Sequence, residues 1–477
     1  MSVLGERRAW RWRCQRLVRA GCCHAPRSRR GPVVTVDISP ARRSDIVDAL
    51  GRGTVPARGL DVMAVGLDRF AASLDEDLAK AAAGGAVFKA LRGEWGSGKT
   101  FAARWMAERA RRAGFATAEL QISETETPLH HLQTVYRRVI ERLSVGDGEV
   151  GAFRSVVDGW FYVLEEDVLA AGTVSESDTE ALAAAADALM EQRLGEVARS
   201  APTFGAVLRA YRAATFAGDQ ATADGLLAWL GGQPNVAASV KRSAGIKGEI
   251  DHAGALSFLQ GLLRILRDSG HAGLFLVIDE VETLQRVRSD ARDKSLNALR
   301  QMLDEIDGGR FPGLYLLITG TPAFFDGPQG VQRLAPLAQR LATDFTTDAR
   351  FDNPRATQIR LAGFDREHLV ALGSKVRDVY AQHQPSAPRI YERVDDAYVA
   401  TLASAVTGSL GGKVGVAPRL FLKKLVSDVL DRVDQFEDFD PRRDYQLTVG
   451  IEEMSDVERN AAASLTPDDI DLGPVDG

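Results

Sequence analysis

A parallel α/β sheet with helices on both faces is the fold this sequence predicts, and three stretches predict it. The first is an apolar run at 87–92 that breaks into Gly93-Glu94-Trp95-Gly96-Ser97-Gly98-Lys99-Thr100 and then into an amphipathic helix. The second is the run LFLVI at 274–278, which ends in Asp279 and Glu280. The third is LYLLI at 314–318, ending in Thr319, Gly320 and Thr321. Continuous apolar runs of this length suit central parallel strands buried on both faces.

The chain opens with an Arg-, Cys- and Trp-rich segment whose composition changes abruptly at Val33. A transit peptide, a basic nucleic-acid arm and a disordered or wrongly assigned extension compete here. Disorder over 1–36 is the preferred expectation. From 37 the phosphate-binding unit begins. Ser44 is read as the N-cap of a first helix. A Gly/Pro loop follows at 51–59, in which Arg58 is a candidate for the border of a nucleotide base and more simply a solvated arginine. Leu67, Phe70, Leu74 and Leu78 recur at helical spacing, and Gly84-Gly85 stops that helix.

Residues 93–100 match G-x-x-x-x-G-K-T, the Walker A loop. A loop that wraps a polyphosphate turns several N–H groups inward, which requires backbone angles that a Cβ resists. Gly93, Glu94, Trp95, Gly96, Ser97 and Gly98 are therefore assigned to the nucleotide, with Lys99 for the β- and γ-phosphates. Thr100 is assigned to Mg2+. The pairs Phe101/Trp105 and Ala102/Met106 support a helix directly after it.

Residues 115–122 read as a second strand, whose end carries Glu124 and Glu126 towards a ligand. Thr127 with Pro128 is read as a helix cap and first position. Residues 127–270 are expected to be a large helical insertion. The core resumes over 271–364. Asp279 is read as a Mg2+ ligand through water and Glu280 as the residue that orients and activates the attacking water, the Walker B pair. In the ATPase branch that sets an extra strand between loop and acid, 314–319 is that strand, and Thr319, with Thr321 behind it, is the γ-phosphate sensor. Arg340, preferred to Arg333, is the candidate finger for a neighbouring subunit's nucleotide, against a salt-bridged surface role. Residues 358–361 are the last strand. A helical lid or winged-helix-like domain is expected over 365–450, where Arg419 opens a helix as a candidate γ-phosphate sensor. An acidic tail, 451–477, is expected to be disordered.

The 477 residues are 45% apolar and 26% charged, an ordinary globular composition. All three cysteines lie within the first 23 residues, so the body of the chain has no disulfide framework and no Cys-based zinc site. The first 30 residues hold nine arginines against one glutamate, a net +8, so the remaining chain carries −14 of the total −6. An acidic body argues against wholesale coating of nucleic acid. No run approaches the roughly 18–20 apolar residues of a membrane span, and a cytoplasmic protein without membrane contact is expected.

G-E-W-G-S-G-K-T, S-E-T-E-T-P-L-H-H-L-Q-T-V-Y-R-R, L-V-I-D-E-V-E-T-L, L-L-I-T-G-T-P-A-F-F and P-L-A-Q-R-L together resemble the BrxD-type ATP-binding proteins of bacterial BREX (bacteriophage exclusion) systems. The resemblance runs from about Ser39 to about Val433. It implies an AAA+/STAND-like P-loop ATPase of the ASCE class in antiphage defence, with ATP and Mg2+ as its ligands. It also implies sibling BREX components, a helicase among them, as partners. DNA is a further candidate, as is a homo-oligomer. The span of 180 positions from Lys99 to Asp279 is longer than in many such ATPases. The leading functional expectation is ATP hydrolysis coupled to a conformational change. The alternative is a nucleotide-gated switch with little hydrolysis. A small-molecule phosphotransferase ranks third, and a dinucleotide reader is weaker because the third glycine of its fingerprint is replaced.

Overall fold

The apolar runs become strands of one sheet: β1 (Val87–Arg92), β2 (Ala116–Gln121), β3 (Ser144–Val145), β4 (Glu149–Val150), β5 (Leu274–Asp279), β6 (Leu314–Gly320) and β7 (Gln358–Arg360). The computed structural model describes residues 37–146, 149–409, 418–454 and 459. Strand order is β4-β3-β2-β5-β6-β1-β7. The stretch from β2 to β7 is parallel throughout, and β3 and β4 add an antiparallel hairpin beside β2.

Register decides where chemistry can gather. Arg92 lies opposite Gly320, Ile278 opposite Ile318 and Gln121 opposite Asp279. The C-terminal ends of β1, β6, β5 and β2 are therefore level. The glycine loop, Thr319, the two acids and Gln121 leave the sheet along one edge. Ligands of open α/β sheets bind beyond that edge.

Alternation along β5 and β6 divides the core in two. Leu274, Leu276, Ile278, Leu314, Leu316 and Ile318 face one way, and Phe275, Val277, Tyr315 and Leu317 face the other. The first face is covered by helices Leu132–Arg142, His252–Asp268 and Ser289–Asp307, and the same core continues through Trp160, Phe204 and Leu226. Helices Asp68–Ala82 and Lys99–Arg112 cover the second face, joined by helices from Arg366–Ala381 onward. The described residues from Ile38 onward form one compact unit. The stretch expected as an insertion thus shares its core with one face of the sheet, and the C-terminal helices share theirs with the other.

Phe204 ties the helices between β4 and β5 to that core. Its ring is fully buried, meets Phe258 edge to face at 5.0 Å, and lies over Gly261, where an added Cβ would collide with it. Phe204→Ala is expected to cost about 3–5 kcal/mol, from lost transfer energy plus the cavity left behind. A lowered midpoint in urea denaturation checks this.

Several local expectations are corrected. The first helix is Pro40–Gly51, capped by Ser39, whose hydroxyl accepts from the Arg42 N–H at 3.3 Å; Ser44 lies inside it. Pro40 supplies the first-turn residue that needs no N–H partner. Thr127 caps no helix. Ser123 Oγ accepts the N–H groups of Glu126 and Thr127 at 3.0 Å each, and the helix begins at Leu132. Among the described residues after Arg360 the regular elements are helices and no strand appears. Its helix is broken into Pro418–Lys423, a π-helical segment Lys424–Leu430 and Asp431–Gln435. The start of the expected tail, Ile451–Glu453, is a 3-10 turn tied down by Lys424 at 2.8 Å from Glu453. Expectations for 1–36, and for the tail beyond 454 except residue 459, lie outside the described residues. No helix of the described residues is long and apolar enough to cross a membrane.

Candidate functional site

β1 ends in Arg92, buried and ion-paired with Asp326, and Gly93 begins the loop with its N–H donating to the Gly320 oxygen at 3.1 Å. A side chain at Gly93 would collide with Ser97 Oγ. Gly96 and Gly98 have φ of 79° and 85°, the left-handed region that favours glycine. Gly98 precedes helix Lys99–Arg112 and caps it with no side-chain hydrogen bond. The first-turn N–H groups of that helix have no intrahelical acceptor, and the positive end of its dipole points at the loop. Ser97 Oγ is buried with no hydrogen-bond partner. A helix start with no side-chain cap, an unpaired buried hydroxyl and a loop path carrying glycines at 93, 96 and 98 together fit an anion.

Lys99 is buried and folds back on its own loop. Its ammonium donates to the Gly93 oxygen at 3.1 Å and the Glu94 oxygen at 3.3 Å. It lies 5.0 Å from the centre of the exposed Trp95 ring, which Arg286 approaches to 5.8 Å. A third partner is Glu282 Oε1 at 3.5 Å.

Across the sheet edge, Thr100 Oγ1 donates to Asp279 Oδ2 at 2.9 Å. These residues are 179 positions apart in the chain. The other Asp279 oxygen accepts from the Thr319 hydroxyl. Thr319 is fully buried on β6, the strand between β1 and β5. The Glu280 N–H lies 3.2 Å from Thr319 Oγ1 and 3.1 Å from Asp279 Oδ1. Glu280 itself sits at φ 59°, ψ 44°. A left-handed conformation at a residue with a Cβ costs about 1–3 kcal/mol, which neighbouring structure must offset. Its carboxylate accepts from Gln121 Nε2 at 2.7 Å. A hydroxyl and a carboxylate in contact beside an anion-ready loop are hard oxygen donors of the kind that suits Mg2+.

The chain reversal at Glu280 opens a one-turn 3-10 helix, Val281–Gln285. This carries Glu282 back beneath Lys99. Only 4% of Glu282 is exposed, and burial pushes its carboxyl pKa up, opposed by the Lys99 charge. Sequence reasoning passed over both Glu282 and Gln121. The acids of D-E-V-E were visible, but the turn that separates their directions was not.

The two arginines assigned from sequence lie elsewhere in the contact network. Arg340 is ion-paired with Asp304, and with Asp307 at 3.3 Å, on helix Ser289–Asp307. That is the salt-bridged surface position weighed against the finger role. Arg419 donates to the Glu453 carbonyl oxygen at 2.6 Å and lies beside Gly53. Arg333 pairs with Asp293 at 2.8 Å, and Arg58 is exposed. Glu126 is exposed and 3.7 Å from Arg138. Thr321 is buried at the start of the short helix Pro322–Asp326. A cavity of about 380 Å³ lined by Phe325, Asp326, Gln339 and Gln358 adjoins the Arg92–Asp326 pair, and the glycine loop is not among its walls.

No curated protein and no solved structure matches the chain. One family model does, over residues 38–449, which takes in every residue of the site just described. With that coverage, the chain belongs to the family described as BREX system ATP-binding protein BrxC/D.

Proposed function

We propose that this protein is a Mg2+-dependent P-loop ATPase of the ASCE/AAA+ type, which couples its nucleotide state to a conformational change in antiphage defence. The observation that carries the reading is the Thr100–Asp279 hydrogen bond at 2.9 Å, which joins the two motifs. The position of β6 between β1 and β5 supports the branch of these ATPases with an interposed strand. ATP as ligand rests on family membership together with the anion-ready loop.

The roles follow from charge and reach. The loop N–H groups and the first turn of helix Lys99–Arg112 bind phosphate oxygens. Lys99 turns from the Gly93 and Glu94 carbonyls to the anion. Thr100 and Asp279 would hold Mg2+, which supplies charge neutralisation on the phosphates when bound. Thr319 fixes Asp279 through one oxygen and leaves the other towards Thr100. Glu280 orients a water and accepts its proton, and Gln121 holds the Glu280 carboxylate until that water is in place. Positioning and fixed dipoles supply most of such catalysis. Arg419 remains the proposed sensor. Arg340 would serve a neighbouring copy by exchanging Asp304 and Asp307 for a phosphate. Other BREX components are the proposed partners on the family resemblance, and DNA and self-assembly are further candidates that the test below includes.

The test is ATP binding and phosphate release by the purified chain, with and without Mg2+, duplex DNA and partner proteins. Turnover is expected with Mg2+ and is expected to vanish on chelation with EDTA. Binding without turnover under every condition would favour the switch. Absence of binding would overturn both readings.

A further inference from the structure

Glu282 is a buried carboxylate that the proposed reaction does not use. The left-handed turn at Glu280 and the 3-10 turn after it deliver Glu282 to 3.5 Å from the Lys99 ammonium. Neither of its oxygens has a hydrogen-bond partner from another residue. Asp279, three residues earlier, accepts from Thr100 through one oxygen and from Thr319 through the other. A buried ion pair that adds stability satisfies its remaining lone pairs, because desolvation otherwise outweighs the attraction. Glu282 does not meet that condition. Ser97, with its buried unpaired hydroxyl, lies in the same loop as Lys99.

We propose that Glu282 is the resident counter-ion of Lys99, an internal acid that occupies the lysine until a polyphosphate replaces it and so sets how tightly that anion binds. The proposal rests on the loop being a nucleotide-phosphate site and deepens that reading. While the loop is free, the carboxylate compensates a buried ammonium. When a polyphosphate arrives, the same carboxylate becomes a like charge close to it in a region of low dielectric, where repulsion is strong. The repulsive energy grows with the charge brought in, so the triphosphate is penalised more than the diphosphate. Glu282 acts through Lys99 and is a positioning residue. The burial that raises its carboxyl pKa accords with so weak a set of partners.

The experiment is equilibrium binding of mant-ATP and mant-ADP to the full chain, wild type, Glu282→Gln and Lys99→Ala, with melting temperatures recorded without nucleotide. Glu282→Gln keeps the shape and removes the charge. It is expected to bind mant-ATP about tenfold tighter, with a smaller gain for mant-ADP. A purely structural role for Glu282 would move the melting temperature and leave the ATP-to-ADP ratio unchanged. Unchanged or weaker mant-ATP affinity overturns the proposal while leaving the nucleotide site standing. If wild type fails to bind, or Lys99→Ala binds as wild type does, the nucleotide-site reading falls and takes the proposal with it. Should Glu282→Gln not fold, Glu282→Asp carries the test. Withdrawing the charge by one methylene is expected to tighten mant-ATP about threefold, and no gain overturns the proposal.

Discussion

Lys99→Ala is expected to abolish nucleotide binding. The ammonium is the one cation in hydrogen-bond contact with the loop carbonyls of Gly93 and Glu94 among the described residues, so no neighbour can substitute for it. Removing one partner of a buried, charged contact costs about 2–5 kcal/mol, or roughly 30-fold to several thousand-fold in affinity. Isothermal titration with ATP and Mg2+ reads this directly, and wild-type affinity in the variant would sink the assignment. The substitution also strands Glu282. Breaking a buried ion pair costs about 3 kcal/mol where the remaining charge persists. The Glu282 pKa is already raised by burial, and loss of Lys99 removes the charge that opposes this rise. A carboxyl with a raised folded pKa contributes stability that is fully present below its unfolded value and is lost as pH rises through the folded one. The stability deficit of Lys99→Ala should therefore be largest at neutral pH and shrink on acidification. Binding must be scored on the folded fraction.

Glu280→Gln separates capture from chemistry. The amide preserves size, and its oxygen can still accept from Gln121, so ATP affinity should stay within a few-fold of wild type. It cannot take a proton from water. Loss of a general base typically costs about 10²–10⁴ in rate. Phosphate release at saturating ATP and Mg2+ is the measurement, and full turnover in the variant would refute the role. The left-handed backbone at Glu280 adds a structural reason to choose an isosteric change, because the turn directs both Glu280 and Glu282.

What the sequence disclosed and what it withheld divide along physical lines. The strands at 274–278 and 314–318 were legible because five successive apolar residues leave no polar face, which restricts them to the middle of a parallel sheet. The glycine loop was legible because its spacing encodes backbone freedom, and Gly96 and Gly98 do take positive φ. The hairpin of β3 and β4 was not legible, since two-residue strands carry no periodicity. Ser44 was read as the cap because it is a serine before a helical pattern, and the signal that marks the true start is the proline at position 40, directly after Ser39. Gln121 and Glu282 depend on inter-strand register and on one left-handed turn, neither of which a local reading can supply. The arginines at 340 and 419 were chosen by residue type and position in the motif order, which say nothing of the contacts they make. Their residue types suit the assigned roles, yet their partners here are Asp304, Asp307 and the Glu453 carbonyl oxygen.

The sheet also restricts how other molecules can dock. Its outermost strands, β4 and β7, are two and three residues long. Rows of free amide and carbonyl groups that short offer little template for strand addition, whether by an aggregating copy or by an extended peptide. A protein that engages this chain must then read helical surfaces and loop crests. Two such elements, helix Lys99–Arg112 and the turn Val281–Gln285, begin at the glycine loop and at the acids of β5, so a partner that docked there would touch the proposed nucleotide site.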